Sequence, residues 1–197
     1  MPYRTPDAGN PRVQRTRDRM LVAARELLAE AGAAGLTYSA LAERAGVTRQ
    51  TLYRHWPARS ALLADMILEG SVGDYPEPGE DPAAVAAAWL ASLRDGLRDP
   101  ARRAVVLAVS AQADADPDSA EALAMLSADR RAALNELLRP SGIRVTADEY
   151  PLLYGPLLAR IIFERAEVAD AFIATVVAQW LAGRQWRKAE LRTSALP

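Results

Sequence analysis

The side chains with the clearest chemical potential lie close together on one predicted short helix. Its polar face carries Arg49, Gln50, Tyr53 and Arg54, with Thr51 and His55 beside them. Guanidinium and amide groups can form hydrogen bonds to the edges of nucleic-acid bases, whereas Thr, Tyr and His typically bond phosphate oxygens. Leu52 and Trp56 are four residues apart and share the opposite face with Val47, so these three are expected to be buried. A short helix with one buried face and one hydrogen-bonding face suits the major groove of DNA.

Two short helices joined by a glycine turn must position that face. The first is predicted over 37–45, with Thr37 as its capping residue. The second is predicted over 49–55, with Thr48 as its cap, and Gly46 breaks the chain between the two. Two short helices joined by a three- or four-residue turn that contains glycine are the signature of a helix-turn-helix.

Helical patterns also occupy most of the chain outside this motif. Apolar residues recur at three- and four-residue intervals from Val13 to Ala31, and Gly32 is placed to end that helix. After the motif, breakers rich in proline, glycine and aspartate separate helical stretches near 58–71, 81–98, 101–114, 118–138, 147–164 and 168–185. The sequence has no period-two strand pattern and no internal repeat, so the predicted fold class is all-α.

The chain divides into four predicted parts. Residues 1–11 form a disordered arm, and 12–58 form a three-helix, helix-turn-helix DNA-binding head. Residues 59–185 form a larger helical C-terminal domain, and 186–197 form a tail. Ten arginines face six acidic residues over positions 1–65, whereas 14 basic residues face 19 acidic ones in the remainder. A basic head on an acidic body fits a nucleic-acid-facing module joined to a second part.

Composition excludes several other classes of function. The chain has no cysteine and only one histidine, which removes disulfides, thiolate sites and multi-histidine metal sites. His55 has no acidic residue three or four positions away, so it is not expected to act as a catalytic base. The aspartates at 114, 116 and 118 are expected to be exposed loop residues rather than metal ligands. We therefore predict no catalytic residue, no metal, no cofactor and no enzymatic activity.

The sequence also gives no sign of membrane insertion or export. The basic N-terminal residues are not followed by an apolar run, so they do not form a secretory signal. No stretch approaches the roughly 18 uninterrupted apolar residues that a membrane helix needs. We expect a soluble, cytoplasmic protein.

The helix-turn-helix stretch closely resembles the DNA-binding domain of the TetR family of bacterial transcriptional regulators. The resemblance covers about residues 13–65 without gaps and rests on these positions: Thr37, Leu41-Ala42, Ala45-Gly46-Val47, Thr48, Thr51-Leu52-Tyr53, Trp56 and Arg59. Arg59 replaces the usual lysine and keeps its charge, and Trp56 replaces the usual phenylalanine. Ala40 replaces a common acidic residue, so a capping box is absent and the cap of that helix is expected to be weaker.

The resemblance implies contacts with double-stranded DNA and places Arg59 where it could clamp the DNA backbone. The expected DNA-binding residues are Thr37, Tyr38, Ser39, Thr48, Arg49, Gln50, Thr51, Tyr53, Arg54, His55 and Arg59. The resemblance further implies a homodimer formed through the last helices, with an unknown small-molecule effector bound in the C-terminal domain. The expected dimer residues are Leu152, Gly155, Ala159, Ile162, Phe172, Val176, Val177 and Trp180, and the candidate effector residues are Trp89, Met125 and Phe163.

Several alternatives stay open at the level of sequence. The N-terminal arginines 4, 12, 15, 17 and 19 either form a solvated arm or contact phosphates and the minor groove. For the candidate effector residues, core packing is favoured over contact with a ligand. The predicted function is an effector-released repressor that binds a palindromic operator, and the alternative is a regulator of the same fold that is controlled by a protein partner or by its abundance. An enzyme in the helical body is a remote alternative.

Overall fold

The described part of the chain is built from α-helices. The structure is a computed structural model that describes residues 11–68 and 75–194. The helices are α1 (Pro11–Gly35), α2 (Tyr38–Ala45), α3 (Arg49–His55), α4 (Arg59–Leu68), α5 (Pro82–Arg98), α6 (Pro100–Gln112), α7 (Pro117–Leu138), α8 (Glu149–Leu158) and α9 (Asp170–Ser194). Within those ranges there is no strand, and the prediction of an all-α fold is confirmed.

Local capping chemistry explains where the two short helices begin and end. The Thr37 hydroxyl accepts a hydrogen bond from the backbone N–H of Ala40, and α2 ends at Gly46, whose φ of 63° is left-handed. The Thr48 hydroxyl likewise accepts from the backbone N–H of Thr51 at the start of α3. Each cap satisfies a backbone donor that the helix itself leaves unpaired, and glycine adopts the left-handed conformation at the smallest steric cost. The predicted caps are confirmed.

Two predicted helix ends differ from the structure. The backbone leaves helical geometry at Gly32 as predicted, with a φ of 67°, but α1 resumes and ends at Gly35. Helix α9 continues to Ser194, beyond residue 185 where the last helix was predicted to end, and the assignment of 186–197 as a separate tail remains a prediction. No glycine or proline interrupts the chain between Gly183 and Pro197, which explains why the helix continues. Residues 69–71, which belong to the helical stretch predicted near 58–71, lie outside the described ranges.

The predicted helix over 147–164 changes character near its end. Pro156 lies inside α8, and a wider π-helical turn follows over Ala159–Phe163. A proline lacks the backbone N–H of a regular helical hydrogen bond and its ring crowds the preceding turn, which favours such a departure. The turn ends two residues before Arg165, whose φ of 54° is left-handed.

The described helices form two compact units, each with its own hydrophobic core. The first unit comprises residues 11–68 and 99–130, and the second comprises 75–98 and 131–194. In the first, apolar faces of α1 to α4 pack with Val105 and Val109 of α6. This core holds the two short helices, so burial of their apolar faces fixes the orientation of their polar faces. The boundary near residue 58, which divides the predicted DNA-binding head from the C-terminal domain, remains a prediction.

The second unit buries a continuous set of side chains from four helices. Its core joins Trp89 of α5, Leu134 of α7, Leu153 of α8 and Trp180 of α9.

Among the described residues, we find no helix with the length and apolar character needed to span a membrane.

Candidate nucleic-acid interface

Helix α3 presents a polar face to solvent and an apolar face to the core. Leu52 and Trp56 are buried as predicted, and Val47 is partly buried against the same core. The predicted contact residues that are exposed on or next to this helix are Thr48, Arg49, Gln50, Tyr53 and Arg54, while Thr51 and His55 are half-buried. The Tyr53 side chain is 54% exposed although it is a large aromatic group. An exposed tyrosine between two arginines on a short helix is suited to contact a polar ligand, with the hydroxyl available for a phosphate.

The start of α2 adds further polar groups to this surface. Thr37 and Ser39 are exposed, and the Arg49 guanidinium donates a hydrogen bond of 3.4 Å to the Ser39 hydroxyl. The Thr48 and Thr51 hydroxyls lie 2.9 Å apart in a further hydrogen bond. The first turns of α2 and α3 are therefore neighbours, and their hydroxyl and guanidinium groups form one continuous hydrogen-bonding surface.

Tyr38 occupies a different environment from the other predicted contact residues. Its side chain is buried, and its hydroxyl donates a 2.6 Å hydrogen bond to the backbone carbonyl of Trp56. Its ring meets the ring of Tyr53 edge to face, with centroids 4.7 Å apart. These contacts support the end of α3 and the position of the exposed tyrosine, and direct contact between Tyr38 and DNA remains a prediction.

A buried polar network holds the end of α3 against α1 and α4. The Asp65 side chain is buried, and the residue is 4% exposed. Its carboxylate accepts hydrogen bonds from Arg17 Nη2 at 2.6 and 2.7 Å and from Trp56 Nε1 at 2.8 Å. Because a buried carboxylate needs both a countercharge and hydrogen-bond donors, these three side chains depend on one another. The network connects three segments that the sequence separates by up to 48 residues.

Arg59, which sequence reasoning placed against the DNA backbone, is bound to acidic side chains at the start of α7. Its Nε donates to Asp118 at 3.0 Å and its Nη2 donates to Asp116. Burial, the largest single influence, acts to lower the pKa of Arg59, but the bonds to Asp118 and Asp116 together raise it above its ordinary value. Burial acts to raise the pKa of Asp116, but the hydrogen bonds from the Ser119 hydroxyl and from Arg59 lower the pKa of that carboxyl overall. Asp116 is therefore not the exposed loop residue that the sequence predicted.

The N-terminal arginines separate into two groups. Arg12, Arg15 and Arg19 are exposed on α1, which is compatible with both interpretations left open by the sequence. Arg17 is mostly buried against Asp65, so neither a solvated nor a phosphate-bound arginine describes it. Arg4 lies outside the described residues.

The residues predicted to form the dimer interface are not equally available in the second unit. Leu152 is 56% exposed, and Gly155, Ala159, Ile162 and Phe172 are half-buried. Val176, Val177 and Trp180 are buried in the core of the same chain, so they have little surface left for a partner. Their apolar character is explained by packing within the chain. The interface itself remains a prediction.

The three candidate effector residues occupy three different environments. Trp89 is fully buried in the second unit, Met125 packs on the core of the first unit, and Phe163 is 84% exposed. The indole N–H groups of Trp89 and Trp180 are buried and meet no acceptor among the described residues. Neither unit contains all three predicted side chains.

Sequence reasoning missed the residues that hold this surface in place. The partners Arg17 and Asp65, and the carboxylates that bind Arg59, are not neighbours in sequence. One signal was available, because Asp65 is the only charged residue in the otherwise apolar stretch 61–68 of α4. An isolated acid on a buried helix requires a cationic partner from elsewhere.

Comparisons with known proteins agree with this geometry. The family model of bacterial regulatory proteins of the tetR family matches residues 20–66, which include α2, α3 and most of α4. An uncharacterised HTH-type transcriptional regulator of Bacillus subtilis, YdeS, is 36% identical over 70 residues, which are 36% of this chain and 35% of that protein. The chain thus aligns with about a third of the length of this curated relative.

Two solved structures resemble the chain over most of its length. The TetR family transcription regulator SCO0332 shares 32% sequence identity, with 85% of this chain and 97% of that one covered and a TM-score of 0.60. Salmonella enterica GusR shares 25% identity, with 89% and 97% covered and a TM-score of 0.58. Together with the helix-turn-helix fold, these comparisons identify a DNA-binding transcriptional regulator rather than an enzyme. The chain belongs to the TetR family of bacterial transcriptional regulators.

Proposed function

We propose that this regulator is a repressor that binds a palindromic operator as a homodimer and is released by a small-molecule effector. The observation that carries the proposal is the exposed polar face of α3, with Arg49, Gln50, Tyr53 and Arg54 presented from a fixed core. In this proposal, residues 12–58 read DNA and residues 59–185 supply the dimer contacts and the effector site. Each protomer places α3 in one major groove, and the twofold axis sets the two grooves roughly 34 Å apart.

The first experiment measures DNA binding and assembly state together. The full chain is incubated with the DNA upstream of its own gene and with a random-sequence pool, and the mass of each complex is measured by light scattering. The expected result is sequence-selective binding of one dimer per palindrome, with an affinity that falls steeply as salt rises. A monomer on DNA, or binding that ignores sequence, would contradict the proposal.

The exposed aromatic at the end of the π-helical turn gives a test of the dimer. Replacing Phe163 by serine should leave the melting temperature of the dissociated chain almost unchanged, because the ring is 84% exposed. If the ring lies in the dimer interface, the same change should weaken dimerisation by about tenfold or more, because interface aromatics often carry large shares of the binding energy. Sedimentation velocity over a concentration series measures this.

Val22→Ser provides the matched control for that substitution. Val22 is also a large exposed apolar residue, but it lies on α1. We expect its replacement to leave dimerisation unchanged. Equal dimerisation of the Phe163 variant and the natural chain would show that this exposed ring does not contribute to dimerisation.

The effector component of the proposal is supported by the unpaired indole donors of the second unit. A buried N–H without an acceptor costs about 1–3 kcal/mol, and a bound ligand or a water that accepts from it removes that cost. We therefore propose an effector that is largely apolar and carries a hydrogen-bond acceptor for Trp89 or Trp180. A thermal-shift screen with hydrophobic and cationic compounds identifies ligands, and a true effector must also lower the affinity for the operator.

A further inference from the structure

The acidic residues that bind Arg59 form a defined clamp, which we call the acidic clamp: Asp116 and Asp118. Both carboxylates contact the guanidinium, through Nη2 and Nε respectively. Asp116 also accepts a hydrogen bond from the buried Ser119 hydroxyl, and its backbone carbonyl accepts from the backbone N–H groups of Ser119 and Ala120. The clamp is therefore anchored to the first turn of α7 rather than carried on a free loop.

The charges around Arg59 do not favour a phosphate as the structure stands. One guanidinium faces two carboxylates, so the group as a whole carries a formal charge of −1. A DNA phosphate that approached Arg59 would have to replace at least one carboxylate, because both acceptors compete for the same N–H donors. Arg59 lies four residues after the last residue of α3, and so it is close along the chain to the surface that faces DNA.

We propose that the acidic clamp sets the DNA affinity of this regulator by competing with a backbone phosphate for Arg59. This inference rests on the proposed DNA-binding function of α3 and adds an element of control to it. In the free protein the two carboxylates bind the Arg59 guanidinium. A DNA phosphate can bind that guanidinium only by displacing them. Movement of the first turn of α7 away from Arg59 strengthens binding, and closer contact weakens it. The effect is independent of base sequence, because the contact is to a phosphate.

The test compares two pairs of substitutions that change the net charge equally. Asp116→Asn with Asp118→Asn neutralises the clamp, and the amide introduced at position 116 can still accept a hydrogen bond from Ser119. Asp114→Asn with Glu121→Gln neutralises two exposed acids on either side of the clamp as the control. Binding of the full chain to a fluorescein-labelled mixed-sequence duplex is followed by fluorescence anisotropy over a range of salt concentrations. Each pair is also made together with Arg59→Ala.

The clamp variant should bind the duplex roughly fivefold more tightly, with a salt dependence steeper by about 0.9 per released arginine. The control pair should bind less than about twofold more tightly. Arg59→Ala should weaken the clamp variant much more than it weakens the natural chain. Unchanged or weaker binding of the clamp variant would overturn the proposal, and so would equal strengthening in the presence and absence of Arg59.

One further variant keeps the test decisive. If the clamp variant does not fold, as judged by circular dichroism, Asp118→Asn alone replaces it, because that side chain is 42% exposed and one carboxylate remains. It should still strengthen binding and steepen the salt dependence. If the natural chain does not bind the duplex at all, the proposed DNA-binding function of α3 fails and this inference fails with it. A natural chain that binds while the clamp variant shows no gain refutes the clamp alone.

Discussion

Replacing Asp65 by asparagine is expected to destabilise the first unit by about 3–5 kcal/mol, the usual cost of breaking a buried ion pair. Asparagine keeps the size of the side chain and can still accept from the Trp56 indole, but it removes the buried countercharge of the Arg17 guanidinium and leaves only the half-exposed Asp18 nearby. In a chain of this size the melting temperature should fall by roughly 10 °C. Thermal unfolding followed by circular dichroism measures the loss. Hydrogen exchange of the α3 amides tests whether the loss is local to the first unit.

Two comparisons separate the buried pair from a general effect of charge. Asp18 lies 4.0 Å from Arg17, but half of its side chain is exposed, so Asp18→Asn should cost less than about 1 kcal/mol. Arg17→Met combined with Asp65→Asn removes the uncompensated charge and should recover part of the stability, since such pairs are strongly coupled. Unfolding of the Asp65 variant at the same temperature as the natural chain, or unchanged protection of α3, would show that the network does not hold this helix.

The helices of this protein were predictable because their ends are encoded locally. Thr37 and Thr48 cap helices within three residues of themselves, and Gly46 supplies the left-handed turn between them. The apolar spacing of Leu52 and Trp56 identified the buried face of α3, and therefore its exposed face. Each of these signals depends only on neighbours in sequence, so a single sequence is sufficient to read it.

The partners of the charged residues could not be predicted in the same way. Arg59 binds carboxylates 57 and 59 residues further along the chain, and Arg17 binds one 48 residues away. The sequence shows which charged side chains are present and what they can bind. The packing of helices that are distant in sequence decides which partner each of them meets. Arg59, which the sequence placed against DNA, therefore binds acidic side chains of the protein itself.

The same limit applies to the apolar stripes of the second unit. Val176 and Val177 look alike in sequence whether a second protomer or the same chain covers them, because both environments favour apolar side chains. The structure shows that the chain itself covers them, whereas Leu152 and Phe163 remain exposed. Periodicity identifies a buried face but not the surface that buries it.

Replacing Arg49 by alanine is expected to weaken operator binding by about 1–3 kcal/mol per protomer, or roughly five- to 150-fold. The reason is the position of Arg49, since its exposed guanidinium lies in the first turn of α3 and is oriented by the hydroxyl of Ser39. Arg49→Lys keeps the positive charge but loses the planar pair of donors that matches a guanine edge. The lysine variant should therefore keep its affinity for mixed-sequence DNA and lose its preference for the operator. Anisotropy titrations of both duplexes, with an operator selected by the natural chain, measure the ratio.

Variants of Tyr53 and Arg44 separate base recognition from the effects of charge and of folding. Tyr53→Phe keeps the ring contact with Tyr38 and removes only the hydroxyl, so it should weaken binding to both duplexes alike if that hydroxyl bonds a phosphate. Arg44→Ala removes the same charge from α2, where the arginine pairs with Glu30, and should leave the operator preference intact. If Arg49→Ala and Tyr53→Ala both bind the operator as the natural chain does, α3 does not enter the groove. The exposed polar face of this helix would then be a solvated surface, and the base contacts would have to come from another element of the head.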